Sequence, residues 1–129
     1  MKKAETLRGR GRFRSLTAGG TRLEGTLLRC TFRMSAERTP LLQAGVGTQN
    51  RTMTAVRRNR VRRLLRAAID RERERLLEAL RSRCCSLDVL FTLRRGSIPP
   101  VPTLGAIHDD LARLCTTLLT RLPRPPRQQ

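Results

Sequence analysis

Residues 55–68 read AVRRNRVRRLLRAA, and two periodic patterns are superposed in them. Val61, Leu64, Leu65 and Ala68 fall at i, i+3, i+4 and i+7, the spacing that lines up four apolar side chains along one stripe of a helix. Asn59, Arg62, Arg63 and Arg66 repeat that spacing two residues earlier, and at about 100° per residue the offset turns them nearly to the opposite side. One face packs and the other carries guanidinium groups. Each guanidinium is a fixed fork of donors that stays charged, which suits rows of phosphates. A face that is merely solvated interleaves acids at i+4 to relieve like-charge repulsion, yet no Asp or Glu occurs between Glu37 and Asp70. The stretch therefore reads as a helix with a polyanion-binding face, and the rest of the chain is placed around it.

The charge of the whole chain points the same way. With 28 basic residues against 10 acidic ones the net charge is +18, a field that draws nucleic acid or an anionic membrane surface. Only Lys2 and Lys3 are lysines, a bias that fits either phosphate recognition or a GC-rich coding sequence. A length of 129 residues with 38% hydrophobic content is enough for one domain with a modest core. No run approaches the roughly 18 apolar residues of a membrane-spanning helix, and the first residues lack the apolar core of a signal peptide, so a cytoplasmic location is expected. Cys30, Cys84, Cys85 and Cys115 are too scattered for paired zinc-ligand spacing and are expected to be reduced, partly buried small hydrophobes. His108 is the only histidine and is expected to be structural, on or beside a helix face.

Outward from the central helix, residues 1–10 are basic and Gly-punctuated, the pattern of a flexible arm, and residues 11–122 form the single domain. Arg12 to Ala18 has Phe13 and Leu16 at i, i+3 before Gly19 and Gly20, which fits a short helix. Leu28, Cys30 and Phe32 alternate with polar residues between Thr26 and Arg33, a strand period, and Ser35 to Pro40 reads as a turn. A second strand covers Leu42 to Thr48, where Gly45 and Gly47 imply a bulge or a close backbone approach. Asp70 to Arg75 has no apolar residue before Leu76, Leu77 and Leu80 resume the stripe, which gives either one long helix with an exposed middle or a broken one. Leu87 to Leu93, LDVLFTL, has the length and apolarity of a central strand. After the Pro-rich loop 96–102, Leu104, Ile107, Leu111, Leu114, Cys115, Leu118 and Leu122 trace a last helix, beside whose start Asp109 and Asp110 would favour the dipole. Residues 123–129, rich in Pro and Arg, read as a disordered tail. Helix, strands, helix, strand, helix is the order of an α+β fold, a mixed β-sheet with helices packed on it.

TAVRRNRVRRLLR, Thr54 to Arg66, resembles the signature of the bacterial ribonuclease P protein component, whose hallmark is an RNR core followed by spaced basic residues. The frame extends without a gap to Leu42, so that Gly45 falls on a glycine usual in that family's preceding strand, while Phe13 and Gly20 fit its usual Phe and Gly near the first helix and turn. The resemblance runs from about Leu7 to Leu122. It implies a subunit that binds the catalytic ribonuclease P RNA and the 5′ leader of precursor tRNA, assisting endonucleolytic 5′ maturation while the RNA carries the chemistry. It also implies a left-handed βαβ crossover through the RNR helix, no cofactor in the protein itself, and Mg2+ for the ribonucleoprotein holoenzyme. By matching positions Arg51, Arg57, Arg58, Asn59, Arg60, Arg62, Arg63 and Arg66 would face the RNA, and Phe13 would line the leader cleft. Phe32 is a second candidate for the leader, with core packing as its competing role. The chain departs from the pattern at Gln49 and Asn50, where lysines are usual, and at Thr17, where a second aromatic often stands.

Charge and helix alone fit a structural RNA-binding protein of the ribosomal type equally well. A DNA-binding or membrane-surface helix is less well matched, because the apolar stripe is narrow and lacks bulky aromatics. Catalysis by the protein alone has the least support: Asp109 and Asp110 adjoin on a helix and point about 100° apart.

Overall fold

The computed structural model describes residues 5–6, 19–36, 40–47, 54–94 and 103–122. Five strands, β1 (Glu5–Thr6), β2 (Thr21–Glu24), β3 (Leu28–Ala36), β4 (Leu42–Gly47) and β5 (Cys85–Leu93), form one sheet in the order β1-β4-β5-β3-β2. β5 pairs parallel with β4 and antiparallel with β3, so the sheet is mixed. Two helices, α1 (Ala55–Arg83) and α2 (Leu104–Thr120), pack on it and on each other.

The near-continuous apolarity of β5 is that of a strand at the centre of the sheet, flanked on both sides, with Leu87, Val89, Leu90, Phe91 and Thr92 all buried. Alternation then sorts the neighbouring strands. Leu28, Cys30 and Phe32 of β3 stand opposite Leu93, Phe91 and Val89, while Leu42, Ala44 and Val46 of β4 stand opposite Leu87, Val89 and Phe91. Against this face lie Val61, Leu65, Ala68, Leu76 and Leu80 of α1 and Ile107, Leu111, Cys115 and Leu118 of α2, in one continuous core. Each helix opens on a threonine cap: Thr54 Oγ1 accepts from the Arg57 amide, and Thr103 Oγ1 from that of Ala106.

Several boundaries differ from those the sequence implies. β2 was not foreseen, because TRLE is short and mostly exposed, and its pairing with β3 is what makes it a strand. β3 runs on through Ser35 and Ala36, where a turn is expected, because both pair with β5. Within the expected arm, Glu5 and Thr6 pair with Gln43 and Ala44 at the sheet edge. β4 keeps regular register with β5 rather than bulging, and the close approach is at Gly47, where a Cβ would stand 3.2 Å from Thr92 Cγ2. α1 is unbroken over 29 residues. Its charged middle is not wholly solvated: Glu72 turns inward, meets Arg75, and lies 3.3 Å from His108 Nε2 of α2. Cys30, Cys85 and Cys115 are buried free thiols, while Cys84 is exposed.

The largest correction concerns Asp110. It lies beyond the first turn of α2, is 2% exposed, and accepts from the backbone amides of Thr26, Leu27 and Leu28 at 3.0, 3.0 and 2.9 Å. The carboxylate therefore satisfies three donors of the β2–β3 turn rather than the helix dipole. Its oxygens occupy the space a side chain at residue 25 would need, since a Cβ on Gly25 would stand 2.4 Å from Asp110 Oδ2. The expected helix at Arg12 to Ala18 and the tail 123–129 lie outside the described residues.

Candidate nucleic-acid interface

α1 presents its basic face because Val61, Leu65 and Ala68 must point into the core. That fixes the rotation of the helix and leaves Arg57, Asn59, Arg60, Arg62, Arg63 and Arg66 exposed, with Arg58 half-buried beside them. Leu64, on the edge of the apolar stripe, is half-buried against the core. None of these six arginines has an ion-pair or side-chain hydrogen-bond partner among the described residues. The C-terminal half of the helix behaves differently. Arg73 meets Asp70; Arg75 meets Glu72, Thr116 Oγ1 and the Ala112 carbonyl; Arg83 Nη1 reaches the Leu122 carbonyl at 3.4 Å. The same residue type is thus used as structural glue in one half and left unneutralised in the other.

The helix dipole sharpens the contrast. The first turn of α1 contains no acid, whereas Arg57 and Arg58 stand there against the partial positive charge of the helix N-terminus. Arg81 and Arg83 in the last turn have the favourable placement. A local rule broken where cations crowd an N-terminus, and obeyed at the other end, makes this face the candidate for an anionic partner.

Of the other candidate residues, Arg51 and Phe13 lie outside the described residues. Of the two roles open to Phe32, the structure shows core packing: at 2% exposure it lies in the core among the helix-covered residues of the sheet, with no ring face open to a base. Val56 was missed. At 78% exposure it is the exposed large hydrophobic among the described residues, and its position on the helical wheel, between Asn59 and Arg60, was the available signal.

The Ribonuclease P family model matches residues 1–118 of the sequence. The chain belongs to the ribonuclease P protein family. It is a protein subunit of ribonuclease P, and RNA binding and a part in tRNA processing follow from that membership. Among solved structures, the fold is similar to the RNase P protein of Staphylococcus aureus, with a TM-score of 0.68 at 14% identity over 90% of this chain and 96% of that one. It is also similar to the RNase P protein of Thermotoga maritima, with a TM-score of 0.64 at 19% identity over 93% of this chain and 99% of that one. At such identities the likeness carries the fold. No curated protein matches the chain. No helix among the described residues is long and apolar enough to cross a membrane.

Proposed function

We propose that the arginine face of α1 seats this ribonuclease P protein on the catalytic RNA, and that the assembled particle removes the 5′ leader of precursor tRNA with the RNA carrying the chemistry. The observation behind this reading is the run of six exposed or half-buried arginines from Arg57 to Arg66, none of them ion-paired among the described residues. Six such side chains held on one rigid helix match a phosphate backbone better than any small anion.

Four of the acidic side chains fit this division of labour. Asp110 is saturated by three backbone amides, Glu72 is held by Arg75 and His108, Asp70 by Arg73, and Glu24 by Arg29 and Arg94. All four are engaged in holding the fold, which leaves none of them poised as a general base. A protein of net charge +18 instead lowers the electrostatic cost of bringing RNA segments together, work otherwise done by divalent ions. The same reading puts Mg2+ with the RNA and Phe13 at the leader, as the family resemblance implies.

Mixing the protein with a bacterial ribonuclease P RNA and a 5′-extended precursor tRNA at low Mg2+ tests this. Stimulated leader release that requires the RNA is expected. Release by protein alone, or no stimulation at all, contradicts it.

A further inference from the structure

The basic face of α1 is not one row of arginines but two. With Asn59 as the origin and about 100° per residue, Arg58, Arg62 and Arg66 lie at roughly −100°, −60° and −20°, whereas Arg57, Arg60 and Arg63 lie at roughly +160°, +100° and +40°. An i, i+4 row and an i, i+3 row thus run along the two flanks of the helix, Arg60 opposite Arg58 and Arg57 nearest the buried side, and converge toward its middle. Between them, in the first two turns, the outermost positions are uncharged: Ala55, Val56 and Asn59 are all exposed, Val56 to 78%. The buried Val61, Leu65 and Ala68 close the remaining side against the sheet. In cross-section the helix is therefore cation, uncharged crest, cation and core.

Two flanks on opposite sides of a helix about 10–12 Å across cannot reach one line of phosphates together. Nor is an exposed valine on the crest of so basic a surface suited to contact with phosphate oxygens, which it would desolvate without a hydrogen bond in return. We infer that the first turns of α1 lie between two phosphate backbones of the RNA, Arg58 and Arg62 on one and Arg57 and Arg60 on the other, with Val56 and Asn59 facing the uncharged floor between them. A wide, shallow A-form minor groove offers that arrangement, because its floor displays ribose hydroxyls and base edges that an Asn amide can bond and a valine can cover; the narrow major groove does not admit a helix. Where the rows converge, Arg63 and Arg66 bridge to both backbones. The inference rests on α1 being the RNA-binding face.

Equilibrium binding of the full chain to ribonuclease P RNA, measured across a salt series and paired with hydroxyl-radical footprinting, tests it with three variants. R58Q/R62Q and R57Q/R60Q should each lower the slope of log affinity against log salt by about 1.8, from about 0.9 per lost contact, and each should lift a different patch of backbone protection. V56S/N59A should weaken binding several-fold with the slope unchanged. Thermal melts establish that each variant is folded, and the substituted positions all lie outside the buried stripe. Loss of slope in only one arginine pair, or loss of the same protected patch in both, overturns the two-backbone arrangement while leaving α1 as the interface. An unchanged slope in both pairs removes α1 from the interface, and the proposed function falls with it.

Discussion

Gly25 and Asp110 are a pair in which each residue type dictates the other. The carboxylate fits over the β2–β3 turn only because residue 25 has no side chain, and the turn's amides are satisfied only because the carboxylate is there. Gly25→Ala should push Asp110 out of its site, and urea denaturation should record a loss of about 1–3 kcal/mol, the usual cost of overpacking. Little change in the denaturation midpoint would mean that the turn holds without the clamp. The buried thiols give a second expectation at this scale. Burial pushes Cys115 up to about 12, with Glu72 adding to the effect and Arg75 opposing it, and burial pushes Cys30 higher still, with Cys115 contributing. In the unfolded chain a thiol ionises near pH 8.5, so the stability these residues confer is fully present below about pH 8.5 and is lost as pH rises toward the folded values. Urea midpoints should fall between pH 8.5 and 10, by the order of 1.4 kcal/mol per pH unit for each thiol, and Cys30→Ala/Cys115→Ala should flatten that dependence. An unchanged slope in that variant would assign the effect elsewhere.

Among the elements, α1 departs from helical economy at both ends, for different reasons. Its C-terminus hands over to β5 through Cys84, whose φ of 52° is a left-handed conformation that glycine adopts without strain. Cys84→Gly should therefore stabilise the protein by about 0.5–1 kcal/mol, and a lower thermal midpoint would show that the exposed thiol contributes more than its backbone costs. At the N-terminus the crowded arginines are the cost of the proposed binding surface. Long periodic elements were legible in the sequence for physical reasons: α1, α2 and β5 each bury a stripe or run that repeats over many residues, so local spacing alone identifies them. The alternation of Leu28, Cys30 and Phe32 was legible too, and it already placed Phe32 with the core residues. β2 was not, because four mostly exposed residues carry no period and are strand only through β3. Nor was the role of Asp110, whose partners lie more than 80 residues away in the chain.

At the scale of the whole molecule, the sheet serves as the support that fixes the rotation of α1. β4 and β5 take the Val61–Leu65–Ala68 stripe, α2 braces the far half of the helix, and the arginines between residues 57 and 66 are thereby held outward without acidic partners among the described residues. A rigid cationic face on a chain of net charge +18 should bind RNA largely through counterion release, which is strongly salt-dependent. The direct measurement is the affinity of the native protein and of Arg62→Ala/Arg63→Ala/Arg66→Ala for ribonuclease P RNA between about 50 and 200 mM salt. The native protein should lose affinity by roughly 10³-fold over that range, and the folded triple variant, with about three fewer phosphate contacts, by only about 25-fold. A triple variant that melts like the native protein and keeps the full salt dependence would contradict the placement of RNA on α1.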